Sequence, residues 1–110
     1  MYKNIYYNPE EFGLEIVGQF EWSEPSWSFD TFCVWKESRG RYWIGEDSGC
    51  SCPSPFDNIT DINQLDGPYT KDGLRKRIDF RIEEHTNTDY HYGYTKAELK
   101  RYASEILSRI

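Results

Sequence analysis

The sequence predicts an α+β domain: a three-stranded antiparallel meander sheet with two C-terminal helices packed on one face. Three observations predict it. Apolar residues alternate with period two over 14–22, and 27–46 is rich in aromatic and β-branched residues, as paired strands require. Turn signals at Pro25 and Gly40 divide that stretch into consecutive hairpins. Beyond residue 69 the apolar spacing becomes helical. The 110 residues suffice for one domain. It divides into an N-terminal sheet over about 13–46, a Cys/Pro/Ser loop over 47–58 and a helical part over 60–110.

The elements follow in order. Asn8 is placed to cap a single helical turn, with Pro9 at its first position, Glu10 and Glu11 in its first turn and Gly13 at its end. In the first strand Leu14, Ile16, Gly18, Phe20 and Trp22 share one face, and Glu15, Val17, Gln19 and Glu21 the other. The second strand spans Trp27 to Glu37 and is apolar on both faces, which places it centrally. Ser38-Arg39-Gly40 reads as a three-residue hairpin loop with Gly40 in the left-handed region. The third strand runs from Arg41 to Glu46. A short helical turn follows at Thr60 to Leu65, ended by Gly67-Pro68.

The last helix is marked by a capping box at Thr95 and Glu98, with Tyr94 and Leu99 at the staple positions. Leu99, Tyr102, Ala103, Ile106, Leu107 and Ile110 form its apolar stripe. Tyr69-Thr70-Lys71-Asp72-Gly73-Leu74 echoes Tyr94-Thr95-Lys96-Ala97-Glu98-Leu99, which shared helix-start chemistry explains. Leu74, Ile78 and Ile82 fit a helix, while Ile78, Phe80 and Ile82 also alternate as a strand would. The apolar faces of the two helices and the first strand are expected to meet in one core.

The formal net charge of −6 is unevenly distributed. Residues 1–69 carry four basic and twelve acidic side chains, a net of −8, whereas 70–110 carry nine and seven, a net of +2. Acidity disfavours non-specific nucleic-acid binding, which rests on Lys and Arg neutralising phosphates. It suits a basic protein partner, and it also keeps a small domain soluble. No apolar run reaches the ~20 residues of a membrane span. The N-terminus lacks the apolar core of a signal peptide, and three cysteines make no disulfide framework, so a cytoplasmic location with reduced thiols is expected.

Cys50 and Cys52 are candidate ligands for zinc, with His85 and His91 as partners and Cys33 a weaker one. The usual zinc spacings are missing, and Pro and Gly also explain the loop structurally. Cys50 or Cys52 as a nucleophile, or 85–94 as an acid–base segment, would make an enzyme. No phosphate-cradling glycine loop, calcium loop or nucleophile elbow occurs. Core packing explains most of the aromatics, and a surplus on a small sheet also fits a partner surface. Trp27, Trp35 and Trp43 are its candidates, because two helices cannot cover everything on a central strand.

The loop Asp47-Ser48-Gly49-Cys50-Ser51-Cys52-Pro53-Ser54-Pro55-Phe56, preceded by Gly40-Arg41-Tyr42-Trp43, resembles small proteins encoded by actinobacteria and especially by their phages. Asn8-Pro9-Glu10-Glu11-Phe12-Gly13-Leu14-Glu15-Ile16 is similar to theirs as well, so the likeness covers about residues 7–75. That family is a domain of unknown function and transfers no catalytic or ligand-binding residue. The resemblance implies a phage or prophage accessory protein inside an actinobacterial cell. The expected function is a non-enzymatic interaction module for an unidentified host or phage protein, without a cofactor. The alternative is a zinc-binding protein built on the Cys50/Cys52 loop.

Overall fold

Four strands, not three, form the sheet. The computed structural model describes residues 3–24, 28–50, 54–88 and 91–110, with the backbone alone at Cys50. β1 (Leu14–Glu21), β2 (Ser28–Glu37), β3 (Arg41–Cys50) and β4 (Asp66–Tyr69) pair antiparallel in the order β1-β2-β3-β4. α1 (Lys71–Thr86) and α2 (Lys96–Leu107) lie on one face.

The fourth strand was hidden because four residues carrying Gly and Pro show no period. At an edge, hydrogen bonds are needed on one side only, and Pro68 is tolerated there. β3 also runs further than expected, with residues 47–50 pairing with Ser28–Thr31 instead of joining the loop. The hairpin between β2 and β3 is as expected, with Gly40 at φ 72° and its N–H donating to the Glu37 carbonyl at 3.0 Å.

The expected single turn is a 3-10 turn at Pro9–Phe12, closed by Gly13. Asn8 precedes it but makes no side-chain cap. The residues 71–86 are helical, and burial shows why. Leu74, Ile78 and Ile82 are fully buried, whereas Phe80, which a strand would align with the last two, is 63% exposed. Thr70 and Thr95 both cap helix N-termini. Of these two, Thr95 alone forms a reciprocal capping box, because the third helical residue there is Glu98 while α1 has Gly73.

The described residues form two apolar clusters, one on each face of the sheet, instead of one core. Phe20, Trp22, Phe32, Val34, Tyr42 and Ile44 face the helices and meet Leu74, Ile78, Ile82, Leu99, Ala103 and Ile106. Cys33, Trp35 and Trp43 face the other way, toward Ile5, Leu14, Phe56 and Leu65. β1 contributes to both. Its register slips between Ile16 and Gly18, leaving Val17 as a bulge. A one-residue insertion reverses the facing of everything after it. Leu14 and Ile16 therefore join the second cluster, while Gly18, Phe20 and Trp22 face the helices. The expected common face of these five residues is corrected accordingly.

Loops and two short 3-10 turns, Pro9–Phe12 and Ile62–Gln64, cover the second face. Asn4 is buried, and its Oδ1 accepts from the Tyr6 and Tyr7 N–H groups at 2.7 and 3.1 Å. Its Nδ2 donates to the Pro55 carbonyl at 2.9 Å, joining the N-terminal segment to the one after the Cys loop. Trp35 Nε1 donates to the Ile5 carbonyl at 3.0 Å.

Gly18 lets α2 approach β1. A Cβ there would lie 2.5 Å from Ile106 Cγ1. Gly18→Ala is expected to destabilise by about 1–3 kcal/mol through overpacking, and Ile106→Ala by about 2–5 kcal/mol through cavity formation. Denaturant unfolding of the double variant should show a loss well below their sum. Simple additivity would contradict this packing.

Candidate functional site

The richest polar cluster gathers around Trp22, at the corner where β1 ends. Trp22 is 1% exposed, and its Nε1 donates to Glu46 Oε1 at 3.1 Å. Glu46, on β3, also accepts two bonds from Arg81 on α1, from Nε at 2.7 Å and from Nη2 at 2.9 Å. Such a two-pronged pair fixes orientation as well as charge. The Arg81 guanidinium lies 4.7 Å from the Trp22 ring centroid, and the His85 ring is 4.5 Å from that ring.

The segment 91–94 closes over this corner. His85 Nε2 donates to the Tyr92 carbonyl at 3.0 Å, and the His91 ring centroid is 5.8 Å from that of His85. The Tyr92 hydroxyl donates to Asp30. Partial burial of that hydroxyl, together with the bond to the Asp30 carboxylate, pushes the Tyr92 phenol up to about 12. The Tyr94 N–H donates to the Trp22 carbonyl at 2.9 Å. Gly93, at φ 86°, makes that approach possible, because a Cβ would sit 2.1 Å from the Trp22 carbonyl oxygen.

Chemically this corner is a lock. Both Glu46 oxygens are committed and the Arg81 charge is balanced. The cluster ties α1, the sheet and the 91–94 segment together.

The sequence-predicted residues fall in different places. His85 and His91 are brought together. Trp27 and Cys52 lie outside the described residues, and at Cys50 the backbone alone is described, paired with Ser28. Trp35 and Trp43, expected on an exposed partner surface, are instead 0% and 6% exposed. The covering segments on the second face bury them, and Trp43 Nε1 donates to Glu37 Oε1 at 3.1 Å. Cys33 is also buried on that second face, across the sheet from His85, and burial pushes its thiol up. A protonated, enclosed thiol is neither a nucleophile nor a ready ligand. Among the described residues no group of three or more His, Cys, Asp or Glu could hold a metal ion.

A family model described as Domain of unknown function (DUF7574) matches residues 3–109. The chain belongs to this family. None of the curated proteins and none of the solved structures matches it. The match takes in the four strands and two helices described for the DUF7574 domain. No described helix of the domain is long and apolar enough to cross a membrane.

The DUF7574 sheet has two unlike edges. β4 is four residues long and contains Pro68, which has no N–H to offer. β1 is eight residues long. Trp22 N–H donates to the Asp30 carbonyl at 3.0 Å, so the Gly18 and Phe20 backbone groups and the Trp22 N–H point toward β2, while the Trp22 carbonyl receives the Tyr94 N–H. Gln19 and Glu21 direct theirs outward, and no other described backbone group bonds to them on that side. Sequence reasoning missed this edge because strand order, not composition, creates it. It likewise did not foresee the exposure of Phe80, Tyr92 and Tyr7, large side chains that are exposed among the described residues.

Proposed function

We propose that this chain is a non-enzymatic protein-interaction module whose open β1 edge accepts an extended segment of a partner. It acts as a phage or prophage accessory protein in the cytoplasm of an actinobacterial cell, on a host or phage protein. The outward backbone groups of Gln19 and Glu21 carry the reading. An unpaired strand edge is a template for another chain, and natural proteins blunt edges that have no partner. β4 is blunted by Pro68 and shortness. β1 carries Glu15 and Glu21 and no basic residue. Two such edges repel each other, which disfavours self-pairing and leaves the edge open to a partner of opposite charge. The resemblance of the Cys loop and the 8–16 segment to phage-encoded proteins supports the setting.

Gln19→Pro removes one outward N–H and adds bulk on the open side. Wild-type and Gln19→Pro baits, matched for circular dichroism, should differ in capture from a phage-infected actinobacterial lysate. The wild type should retain a protein that the variant releases. Equal capture by both, or capture by neither, would overturn the reading.

A second reading is a zinc site of Cys50, Cys52, His85 and His91. The bond from His85 Nε2 to the Tyr92 carbonyl favours it. Zinc-bound histidines commonly donate their other ring N–H to a carbonyl, which here would leave Nδ1 as the ligand atom. The backbone of Cys50 ends β3 two residues beyond Ser48, the partner of Asp30, whose carboxylate receives Tyr92. On this reading the purified protein holds about one equivalent of zinc by elemental analysis and its Tm falls on chelation. Substoichiometric zinc with an unchanged Tm would remove it.

A further inference from the structure

We propose that a small pocket beside the β1 edge receives one lysine or arginine side chain of the segment that pairs there. This inference rests on the edge reading above and adds the chemistry that selects the partner. The pocket, of about 190 Å³, is lined by Gln19, Phe20, Glu21, Tyr94 and Tyr102. That is below the roughly 300–1,000 Å³ of small-molecule sites and suits a single side chain.

Strand geometry aims a residue at this pocket. Phe20 directs its backbone toward β2, so a strand added outside would bond to Gln19 and Glu21 on either side of it. The residue opposite Phe20 would then occupy a non-hydrogen-bonded pair, where facing side chains are closest. Its side chain would point to the same face as Phe20, the helix face, where Tyr94 and Tyr102 stand.

The lining suits a cation. The Tyr94 and Tyr102 rings meet edge to face with centroids 5.3 Å apart, and Phe20 stacks 6.4 Å from Tyr102. Aromatic faces attract ammonium and guanidinium groups. The Glu21 carboxylate turns to the other face, where it accepts from the Asp30 N–H at 3.0 Å and from the Thr31 hydroxyl, whereas Glu24 and Glu98 act on Tyr94. Partial burial, then the Tyr102 hydroxyl and these two carboxylates, push the Tyr94 phenol upward. The chain's own Arg101 guanidinium already lies 5.5 Å from the Tyr102 centroid. Glu24 and Glu98 are two carboxylates against that one cation, so the Tyr94 side of the pocket keeps a negative field. A neutral aliphatic side chain would fill the same space without drawing on it.

The test uses the intact chain and two short strand-forming peptides of alternating Thr and Val. They differ only at the central residue, lysine in one and its uncharged isostere norleucine in the other. Two-dimensional amide NMR titration should shift residues 18–22, 94 and 102, and the lysine peptide should bind at least fivefold more tightly. Tyr102→Ala and Glu24→Lys should each lessen that preference. Should Tyr102→Ala fail to fold, the peptide pair on the wild type and on Glu24→Lys decides. Equal binding of the two peptides, with shifts still at Gln19 and Glu21, would overturn the pocket and leave the edge standing. If neither peptide shifts β1, both fall.

Discussion

The central strand β2 is apolar on both of its faces, and the rest of the structure follows from that. Phe32 and Val34 need cover on one side, Cys33 and Trp35 on the other. Burying apolar area is the dominant favourable term in folding, so a sheet with two such faces is stable only between two layers. Two amphipathic helices supply the first. The second is made from loops and short 3-10 turns, whose backbone groups join no ladder and find partners individually. Asn4 serves Tyr6, Tyr7 and Pro55 in this way, and Trp35 serves Ile5. Asp47 does the same for Phe56, whose N–H it receives at 2.7 Å where φ is 61°.

The Val17 bulge adapts β1 to this arrangement. Ahead of it, β1 contributes Leu14 and Ile16 to the second layer. Beyond it, Phe20 and Trp22 lie beneath the helices. Trp22 then becomes the post to which Glu46, Arg81, His85 and Tyr94 are tied. The corner is thus closed by side chains and by the 91–94 segment, while the middle of β1 keeps its outward backbone groups. Closed corner and open edge lie within four residues of each other, and the aromatic pocket sits between them.

Much of this was legible where the physics is local. The capping box at Thr95, the Gly40 turn and the stripe from Leu99 to Ile110 each depend on neighbours a few residues apart. The two-sided character of β2 was legible too, and it placed that strand centrally. What stayed hidden depends on distant partners. β4 exists because β3 offers it an edge, and no pattern in Asp66-Gly67-Pro68-Tyr69 announces it. The bulge preserves the period of two in sequence while reversing it in space. Trp35 and Trp43 read as surplus aromatics only if the second layer is not foreseen. Tyr94 and Tyr102 read as staple and stripe, and their shared pocket appears once α2 is laid beside β1.

The openness of β1 is the central claim, and residue-resolved amide hydrogen exchange on the isolated protein tests it most directly. The account predicts alternation, with the Gly18, Phe20 and Trp22 amides slow and the Gln19 and Glu21 amides fast. Protection of Gln19 and Glu21 equal to that of their neighbours would mean that the edge is already paired, and would contradict it.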